Sequence, residues 1–342
     1  MIFSAAFLLL LCTFCDNIFF IFFSISGDIM SEKLKKNSTL FSAFLMMLAA
    51  FIWGTSFVAQ SKGLDKIGNF TFLSFRSYLA VLALIPVALV FYKNGKKTGD
   101  GAHGEYKSFF SKRLIFGGVL CGIFLFAGTA FQQIGIKYSG VGKSGFLTTL
   151  YILIVPLIGL LFKRKVKPTL WVCIAIALLG MYFLCAGASG GISFGDIMLI
   201  LCALGFAIQI TTVDRFISSV DGVRLSLVQF ITCSVLSTVT MLAFEKVDMS
   251  VILDAWFPVF YAGVMSSGAA FTLQIISQKN LNPVVACLLM SLESVFAALS
   301  GAVFGERLSA REIIGCCLVF AAIVISQLPI ENILKRKKAS NK

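Results

Sequence analysis

Long apolar runs dominate the sequence. A helix of about 20 predominantly apolar residues spans the hydrocarbon core of a bilayer, which is ~30 Å thick. The chain is therefore predicted to be an all-α membrane protein with ten transmembrane helices. The runs lie near residues 40–60, 70–92, 114–135, 141–162, 169–187, 194–213, 225–244, 256–277, 283–304 and 309–328.

The composition supports a bilayer as the solvent of this protein. Of its 342 residues, 58% are hydrophobic and 13% are charged, whereas soluble domains are about 45–50% apolar and about 25% charged. The net charge of +13 raises the question of nucleic acid binding. However, the Lys and Arg residues form short clusters between the apolar runs, where membrane proteins carry their cytoplasmic charges. The predicted partner is the lipid bilayer and not nucleic acid.

The basic clusters also predict an orientation. If residues 30–36 lie inside, the inside segments carry about three times as many Lys and Arg residues as the outside segments, as the positive-inside rule requires. Arg76 belongs to neither set because it falls within an apolar run. Both termini of the ten-helix unit, including the basic tail 329–342, are then expected in the cytoplasm.

Residues 1–29 do not fit this scheme. The stretch is apolar enough to span a membrane, but no basic segment precedes it and no small-residue cleavage site follows, so a signal peptide is not predicted. Met30, followed at once by a short charged segment, resembles a natural start. We expect residues 1–29 to come from a wrongly assigned upstream start, with an eleventh helix as the alternative.

The cysteines and loops give no sign of a cofactor. Most of the ten Cys residues lie in apolar runs, where a thiol packs as a small hydrophobic group. Cys12 and Cys15 form one CxxC pair, without the second pair or His cluster that a structural zinc site needs. No Walker-type phosphate loop is present. The sequence therefore predicts no metal, no cofactor and no direct use of ATP.

An internal repeat divides the ten runs into two sets of five. Residues 162–166 and the helix that follows align with residues 304–308 and their following helix, at an offset of 142 residues. In addition, Gly54 near Gln60 resembles Gly205 near Gln209. Because five helices form each half, the second copy crosses the membrane in the opposite sense. Inverted repeats of this kind place a substrate site at their interface near the midplane. The predicted halves are residues 38–187 and 193–328.

At several of these positions the chain resembles a known family, the EamA-type drug/metabolite transporter superfamily. The resemblance extends over the whole ten-helix unit. In two places the chain departs from the family pattern, with Ser294 where Pro is frequent and with Lys163-Arg164-Lys165 in place of an acidic residue. The resembling stretches are Trp53-Gly54-Thr55-Ser56-Phe57, Phe75-Arg76-Ser77, and Ser291-Leu292-Glu293-Ser294-Val295 through Gly305-Glu306-Arg307-Leu308-Ser309 to Gly315.

This resemblance implies a permease of the bacterial cytoplasmic membrane. Its function would be to export or exchange a small metabolite by alternating access, with a proton or other ion as the coupling partner. Amino acids and related compounds are the first guess for the small-molecule substrate, and efflux of drugs or toxic compounds is the alternative. The oligomeric state is not predicted.

Glu293 and Tyr151 are the first candidates for a central site. Glu293 lies about ten residues into its run, which at 1.5 Å per residue places it roughly 15 Å deep, in the middle of the bilayer. A carboxylate at that depth is expensive, so it is expected to face the bundle interior with a partner or a function. The repeat offset pairs it with Tyr151. We interpret the pair as a substrate site with a role in proton coupling, or as a structural hydrogen bond between helices.

Further polar and aromatic residues are candidates for the same cavity. Arg76 lies about six residues inside its helix, where it either attracts an anionic substrate group or reaches outward to the headgroups. Intramembrane or interfacial amides either line a polar cavity or join helices. They are Gln60, Gln132, Gln133, Gln209, Gln229 and Gln274. Trp53 is either a cavity wall or a packed side chain. Together with Glu293 and Tyr151, the predicted lining residues are Trp53, Arg76, Gln132, Gln209 and Gln274.

Two other classes of membrane protein are alternatives to a transporter. An intramembrane enzyme needs a nucleophile with a base, or clustered metal ligands. The single His, His103, falls in a loop between runs, and no two carboxylates share a membrane face, so an enzyme is not predicted. A channel or scramblase needs a continuous polar stripe, which these isolated amides do not form.

Overall fold

The computed structural model describes residues 38–98, 108–139, 141–185, 193–303 and 309–327. Within these ranges the chain forms helices and short turns, without strands. The elements are α1 (Ser38–Leu64), α2 (Asn69–Thr98), α3 (Lys112–Ser139), α4 (Val141–Thr148), α5 (Tyr151–Leu161), α6 (Pro168–Cys185), α7 (Phe194–Phe216), α8 (Gly222–Phe244), α9 (Met249–Asp254), α10 (Trp256–Phe260), a π-helix (Tyr261–Ala270), α11 (Phe271–Gln278), α12 (Pro283–Met290), α13 (Leu292–Val303) and α14 (Ala310–Gln327).

Several predictions concern residues outside these ranges. They are the apolar stretch 1–29, the tail 329–342, most of the Gly305-Glu306-Arg307-Leu308-Ser309 stretch, the loop that contains His103, and the Cys12–Cys15 pair.

Eight helical segments within the described residues are long and apolar enough to cross a membrane. They coincide with eight of the ten predicted runs. The other two runs correspond to α6 and α14, which are 18 residues each, and the apolar part of α6 is shorter still, at Pro168–Phe183. The all-α membrane architecture is confirmed, and the count of ten spans stays a prediction at α6 and α14.

Capping side chains fix two of the predicted helix starts. The side chain of Asn282 accepts a hydrogen bond from the backbone N–H of Val284, and Pro283 occupies the first turn of α12. Ser309 and Glu312 form a capping box, in which each side chain accepts a hydrogen bond from the backbone N–H of the other residue. Both starts are confirmed, because these oxygens satisfy N–H groups that no helical carbonyl reaches.

Two of the predicted spanning runs are interrupted near their centres. One is divided between α4 and α5 at Thr149 and Leu150, and the other between α12 and α13 at Ser291. Each run is still long and apolar enough to cross a membrane, and its central interruption is a feature that the sequence did not predict. Thr149 and Ser291 are 142 residues apart, so the interruptions occupy equivalent positions in the two halves.

Side-chain hydroxyls bond to backbone carbonyls at both interruptions. The Thr149 hydroxyl donates to the carbonyl oxygens of Gly145 and Phe146, at 3.1 and 2.8 Å, and the Ser291 hydroxyl donates to that of Leu288 at 2.7 Å. A hydroxyl that bonds to the preceding turn competes with the backbone ladder. The backbone N–H of Leu150 bonds to the carbonyl of Leu147, an i to i−3 contact that tightens the turn.

The helices pack as two groups, and the internal repeat relates one group to the other. Group A consists of α3, α4–α5 and α7, and group B of the segment from α10 to α11, α12–α13 and α1. Exchanging the first five predicted spans for the last five turns group A into group B. Under the same exchange, the packed pair α2 and α8 and the packed pair α6 and α14 each map onto themselves. The packing therefore has the pairwise correspondence between halves that the predicted 5+5 inverted-topology repeat requires.

The close approach of α1 to α13 depends on Gly54. A Cβ atom at this position would lie 2.7 Å from the carbonyl oxygen of Glu293 and 2.8 Å from the backbone nitrogen of Ala297. Backbone atoms cannot swing aside as the end of a flexible side chain can, so only glycine permits this contact. Small residues at such crossings are the usual way in which transmembrane helices approach closely.

Gly54→Ala is expected to destabilise the protein by about 1–3 kcal/mol, the usual cost of an extra methyl group in a packed interior. The apparent melting temperature of the purified protein in detergent measures this. Gly145→Ala is the matched control in α4, because its Cβ atom would find its nearest neighbour, the Cα atom of Ser294, at 3.7 Å. An equal loss of stability in both variants would contradict the assignment of a tight contact to Gly54.

Candidate functional site

One pocket lies between group A and group B, near the middle of the bundle. All seven residues predicted to line a cavity border it: Trp53, Arg76, Gln132, Tyr151, Gln209, Gln274 and Glu293. Their role in substrate binding stays a prediction, but the fold brings all of them to one place. The remaining lining residues are Phe57, Gln60, Phe206, Ile210, Ser266, Phe271 and Met290.

Tyr151 and Glu293 meet directly across the pocket. The Tyr151 hydroxyl donates a hydrogen bond to Oε1 of Glu293 at 3.1 Å, and the two residues are 142 positions apart in the chain. Both side chains are buried, with 1% and 5% of their surface exposed. Each residue stands in the first turn of a half-helix, Tyr151 in α5 and Glu293 in α13. The N-terminal end of a helix favours a negative charge, which suits the carboxylate of Glu293.

Arg76 is buried beside the pocket and is held by neutral groups. Its Nε donates to the hydroxyl of Ser267 at 2.9 Å, Nη1 to Oε1 of Gln60 at 2.7 Å, and Nη2 to the hydroxyl of Ser266 at 3.3 Å. Only 2% of the residue is exposed, so it does not reach the headgroups. None of the ion pairs among the described residues includes Arg76. A buried cation with only neutral partners is suited to an incoming anionic group.

The two serines that hold Arg76 belong to the π-helix. Ser266 and Ser267 are consecutive, and both hydroxyls reach the same guanidinium group. A π-helix is wider than an α-helix and is frequent at functional sites. The sequence predicts only a plain helix here, since nothing in the pattern of apolar residues distinguishes the two.

Amide side chains form a separate chain of hydrogen bonds on the other side of the Tyr151–Glu293 contact. Gln274 donates to Oε1 of Gln209 at 3.3 Å, and Gln209 donates to Oε1 of Gln229 at 3.1 Å. All three are fully buried. Both roles predicted for the intramembrane amides apply, because Gln209 and Gln274 line the pocket and also join neighbouring helices.

Aromatic side chains make up much of the pocket wall. The Trp53 Nε1–H donates to the backbone carbonyl of Ser266 at 3.2 Å, and the Trp53 ring lies 4.8 Å from that of Phe271 in an edge-to-face arrangement. Phe271 in turn contacts Phe206 and Phe230. Trp53 is therefore both a cavity wall and a packed side chain. Edge-to-face ring contacts of this kind stabilise a wall that keeps its shape.

Sequence reasoning missed six of the fourteen lining residues, and Gln60 is among the intramembrane amides that it offered as candidates. Gln60 carries the same signal as Gln209, because the repeat relates the two. The aromatic residues gave no usable signal, since the chain has 35 Phe residues and lipid-facing and pocket-facing rings look alike in sequence. Ser266 was missed because a hydroxyl inside an apolar run is ordinary in membrane helices.

The pocket offers no evident set of metal ligands. Glu293 is the single carboxylate on its wall. Within the described part of the chain, no three His, Cys, Asp or Glu side chains lie where they could hold a metal ion together. The chemistry available at the wall is hydrogen bonding, one carboxyl group and one guanidinium group.

A model of the EamA-like transporter family matches residues 40–186 and, separately, residues 193–327. The chain belongs to this family. An "uncharacterized transporter" from Archaeoglobus fulgidus is 28% identical over 307 residues, which cover 88% of this chain and 89% of that relative. One crystal structure superposes with a TM-score of 0.67 at 18% identity, over 85% of this chain and 98% of the other, and at that identity it supports the fold alone. The protein is thus a multi-pass integral membrane transporter.

Arg76→Met is expected to leave the stability of the transporter unchanged or to raise it, by up to about 2 kcal/mol. The reason is that burial of the charge is costly and its three partners are neutral, while Gln60 keeps its second donor, Gln133. The apparent melting temperature in detergent measures the effect, and Arg76→Lys is the charge-retaining control. A clear loss of stability in Arg76→Met would show instead that the guanidinium group is a structural strut.

Proposed function

We propose that this EamA-family transporter is a secondary carrier that exports or exchanges a small zwitterionic metabolite, with amino acids as the first candidates. The observation that carries the proposal is a pocket between two symmetry-related helix groups whose wall holds one buried cation and one buried carboxyl group. Transporters built from inverted repeats move such groups against each other around a fixed central site. The carrier therefore works by alternating access.

The two charged groups on the wall suit the two ends of a zwitterion. The guanidinium group of Arg76 has neutral partners and a planar fork of donors, which matches a carboxylate. Glu293 accepts one hydrogen bond, from the hydroxyl of Tyr151, and has a second oxygen for an ammonium group. A substrate with both charges compensates both groups at once, which a simple anion or a simple cation does not.

Glu293 is also the candidate for coupling to protons. It is the single carboxyl group on the pocket wall, and it stands where the two half-helices meet. A substrate ammonium group and a proton then compete for the same carboxylate. Such competition links the substrate to the proton gradient without a second site.

Efflux of drugs is the second candidate, and the aromatic wall favours it. Trp53, Phe57, Phe206 and Phe271 together with Met290 offer a large apolar surface to a planar compound. A lipophilic cation would bind Glu293 but would face Arg76 as a like charge. The zwitterion therefore fits the pocket better.

The charge distribution supports the placement in the membrane. The proposed location is the bacterial cytoplasmic membrane, with both termini of the ten-helix unit in the cytoplasm, because the segments that then face inward carry most of the Lys and Arg residues.

Counterflow in proteoliposomes tests the proposal with the full chain. Vesicles loaded with mixed unlabelled amino acids are offered one labelled amino acid at a time, and transient accumulation of a label is expected for at least one of them. Arg76→Gln is then expected to abolish the preference for the amino acid over its primary amide, a loss of roughly tenfold or more, as for a charge-assisted hydrogen bond. Accumulation of lipophilic cations alone would favour drug efflux and contradict the zwitterion.

Glu293→Gln separates coupling from binding. Exchange in counterflow needs no net driving force, so the variant is expected to retain part of it. An imposed proton gradient is expected to accelerate transport by the unmodified carrier and not by Glu293→Gln, because the amide binds no proton in the cycle. Tyr151→Phe is the matched control, since it removes the hydrogen bond and keeps the carboxyl group. An unchanged gradient response in Glu293→Gln would exclude the coupling role.

A further inference from the structure

Hydrogen bonds beside the pocket join group A to group B at three levels. In the described residues these are Gln133 to Gln60 at 2.6 Å, Tyr151 to Glu293 at 3.1 Å, and, at the third level, Gln274 to Gln209 and the side chain of Gln278 to the backbone carbonyl of Ile210, both at 3.3 Å. Any motion that separates the two groups must break at least one of these bonds. The residues that form them therefore bear directly on how the pocket opens.

The two amide pairs lie on opposite sides of the central contact. Gln60 and Gln133 stand four and six residues before the ends of α1 and α3, whereas Gln274 and Gln209 stand four and seven residues before the ends of α11 and α7. Because the second half is inverted, α1 and α3 finish at one end of the bundle and α7 and α11 at the other. We call these the α1 end and the α7 end, and the charge distribution predicts that the α7 end faces the cytoplasm.

The repeat relates the helices that carry the two amide pairs, although at the offset of 142 residues Gln274 pairs with Gln132 and not with Gln133. Gln60 corresponds to Gln209, and α3 corresponds to the segment that carries Gln274. The repeat exchanges Tyr151 with Glu293, so the contact between them favours neither end of the bundle. Each amide pair, by contrast, closes one end of the pocket and has its counterpart at the other.

The two pairs are not equally strong. Gln60 accepts hydrogen bonds from both Gln133 and the Arg76 guanidinium group, at 2.6 and 2.7 Å. Gln274 and Gln209 meet at 3.3 Å, and the further partner of Gln209 is the neutral amide of Gln229. Oε1 of Gln133 and Oε1 of Gln274 are both buried without a partner, so the difference between the pairs comes from Arg76. Hydrogen bonds with a charged donor are shorter and stronger than neutral ones. The amide pair at the α1 end is therefore held more firmly.

We propose that Gln60–Gln133 and Gln209–Gln274 are the two gates of the transport cycle, and that the Gln209–Gln274 gate opens first. Arg76 locks the gate at the α1 end, so the empty carrier opens toward the α7 end. With the predicted orientation, the empty carrier loads from the cytoplasm, as export requires. This inference rests on the alternating-access function proposed above and assigns its gating residues.

Cysteine labelling from each face of the membrane tests the two gates. Met290→Cys in the full chain places a thiol on the pocket wall, and proteoliposomes are treated with a membrane-impermeant maleimide. The chain without this change gives the background from its own cysteines. A protease-sensitive tag at the C-terminus, which follows α14 at the α7 end, reports the orientation of each vesicle population.

Gln274→Ala and Gln133→Ala are the matched variants. Each variant removes one hydrogen bond of a gate and leaves the neighbouring hydrogen bonds in place, because Gln209 still bonds to Gln229 and Gln60 still bonds to Arg76. Gln274→Ala is expected to raise labelling from the α7 end about fivefold, the factor by which loss of one buried hydrogen bond shifts a two-state equilibrium. Gln133→Ala is expected to raise labelling from the α1 end by a similar factor. The parent is expected to react faster from the α7 end.

Equal labelling from both faces, or the same response to both variants, would overturn the assignment. If either alanine variant aggregates, Gln133→Met and Gln274→Met keep the side-chain volume and repeat the test, and absence of a sided response in these variants also overturns it. Labelling needs no substrate. A failure of the gates is therefore distinct from a failure of the carrier function, which counterflow measures.

Discussion

Hydrocarbon offers no hydrogen bonds to a peptide group, and this constraint decides where the chain is able to leave the α-helix. At the two breaks, Thr149 and Ser291 are fully buried in protein, so lipid does not reach these two residues. Their hydroxyls bond to carbonyls of the preceding turn. The two half-helices that follow therefore begin in the middle of the bundle, and this brings Tyr151 and Glu293 face to face.

The same low-dielectric interior gives the two charged groups their importance. Arg76 and Glu293 border one pocket, yet each is bonded to neutral partners. Had they formed an ion pair with each other, their charges would cancel and a substrate would gain little from either. Because Arg76 and Glu293 are kept apart, each group still attracts an opposite charge, and water does not screen this attraction in the protein interior. The resulting cost in stability is of the kind that functional sites carry.

Much of this site followed from the sequence, because the repeat supplies distance information that composition lacks. An offset of 142 residues paired Tyr151 with Glu293, and the structure joins them by a hydrogen bond. Depth in the membrane singled out Arg76, but only the fold decided between the pocket and the headgroups, since the outcome depends on Gln60, Ser266 and Ser267. The helix breaks were missed because a Thr or Ser hydroxyl bonds backward in many unbroken helices as well.

An inverted repeat with identical halves would have two access states of equal energy, since the symmetry that exchanges the halves also exchanges the two ends. A preference for one side must therefore come from positions where the halves differ. One such position adjoins each gate: Arg76 of α2 binds Gln60, while Gln229 of α8, the helix that the repeat relates to α2, binds Gln209. A cation stands on one side and a neutral amide on the other. In the proposed cycle, this difference between Arg76 and Gln229 gives a pseudo-symmetric scaffold a direction.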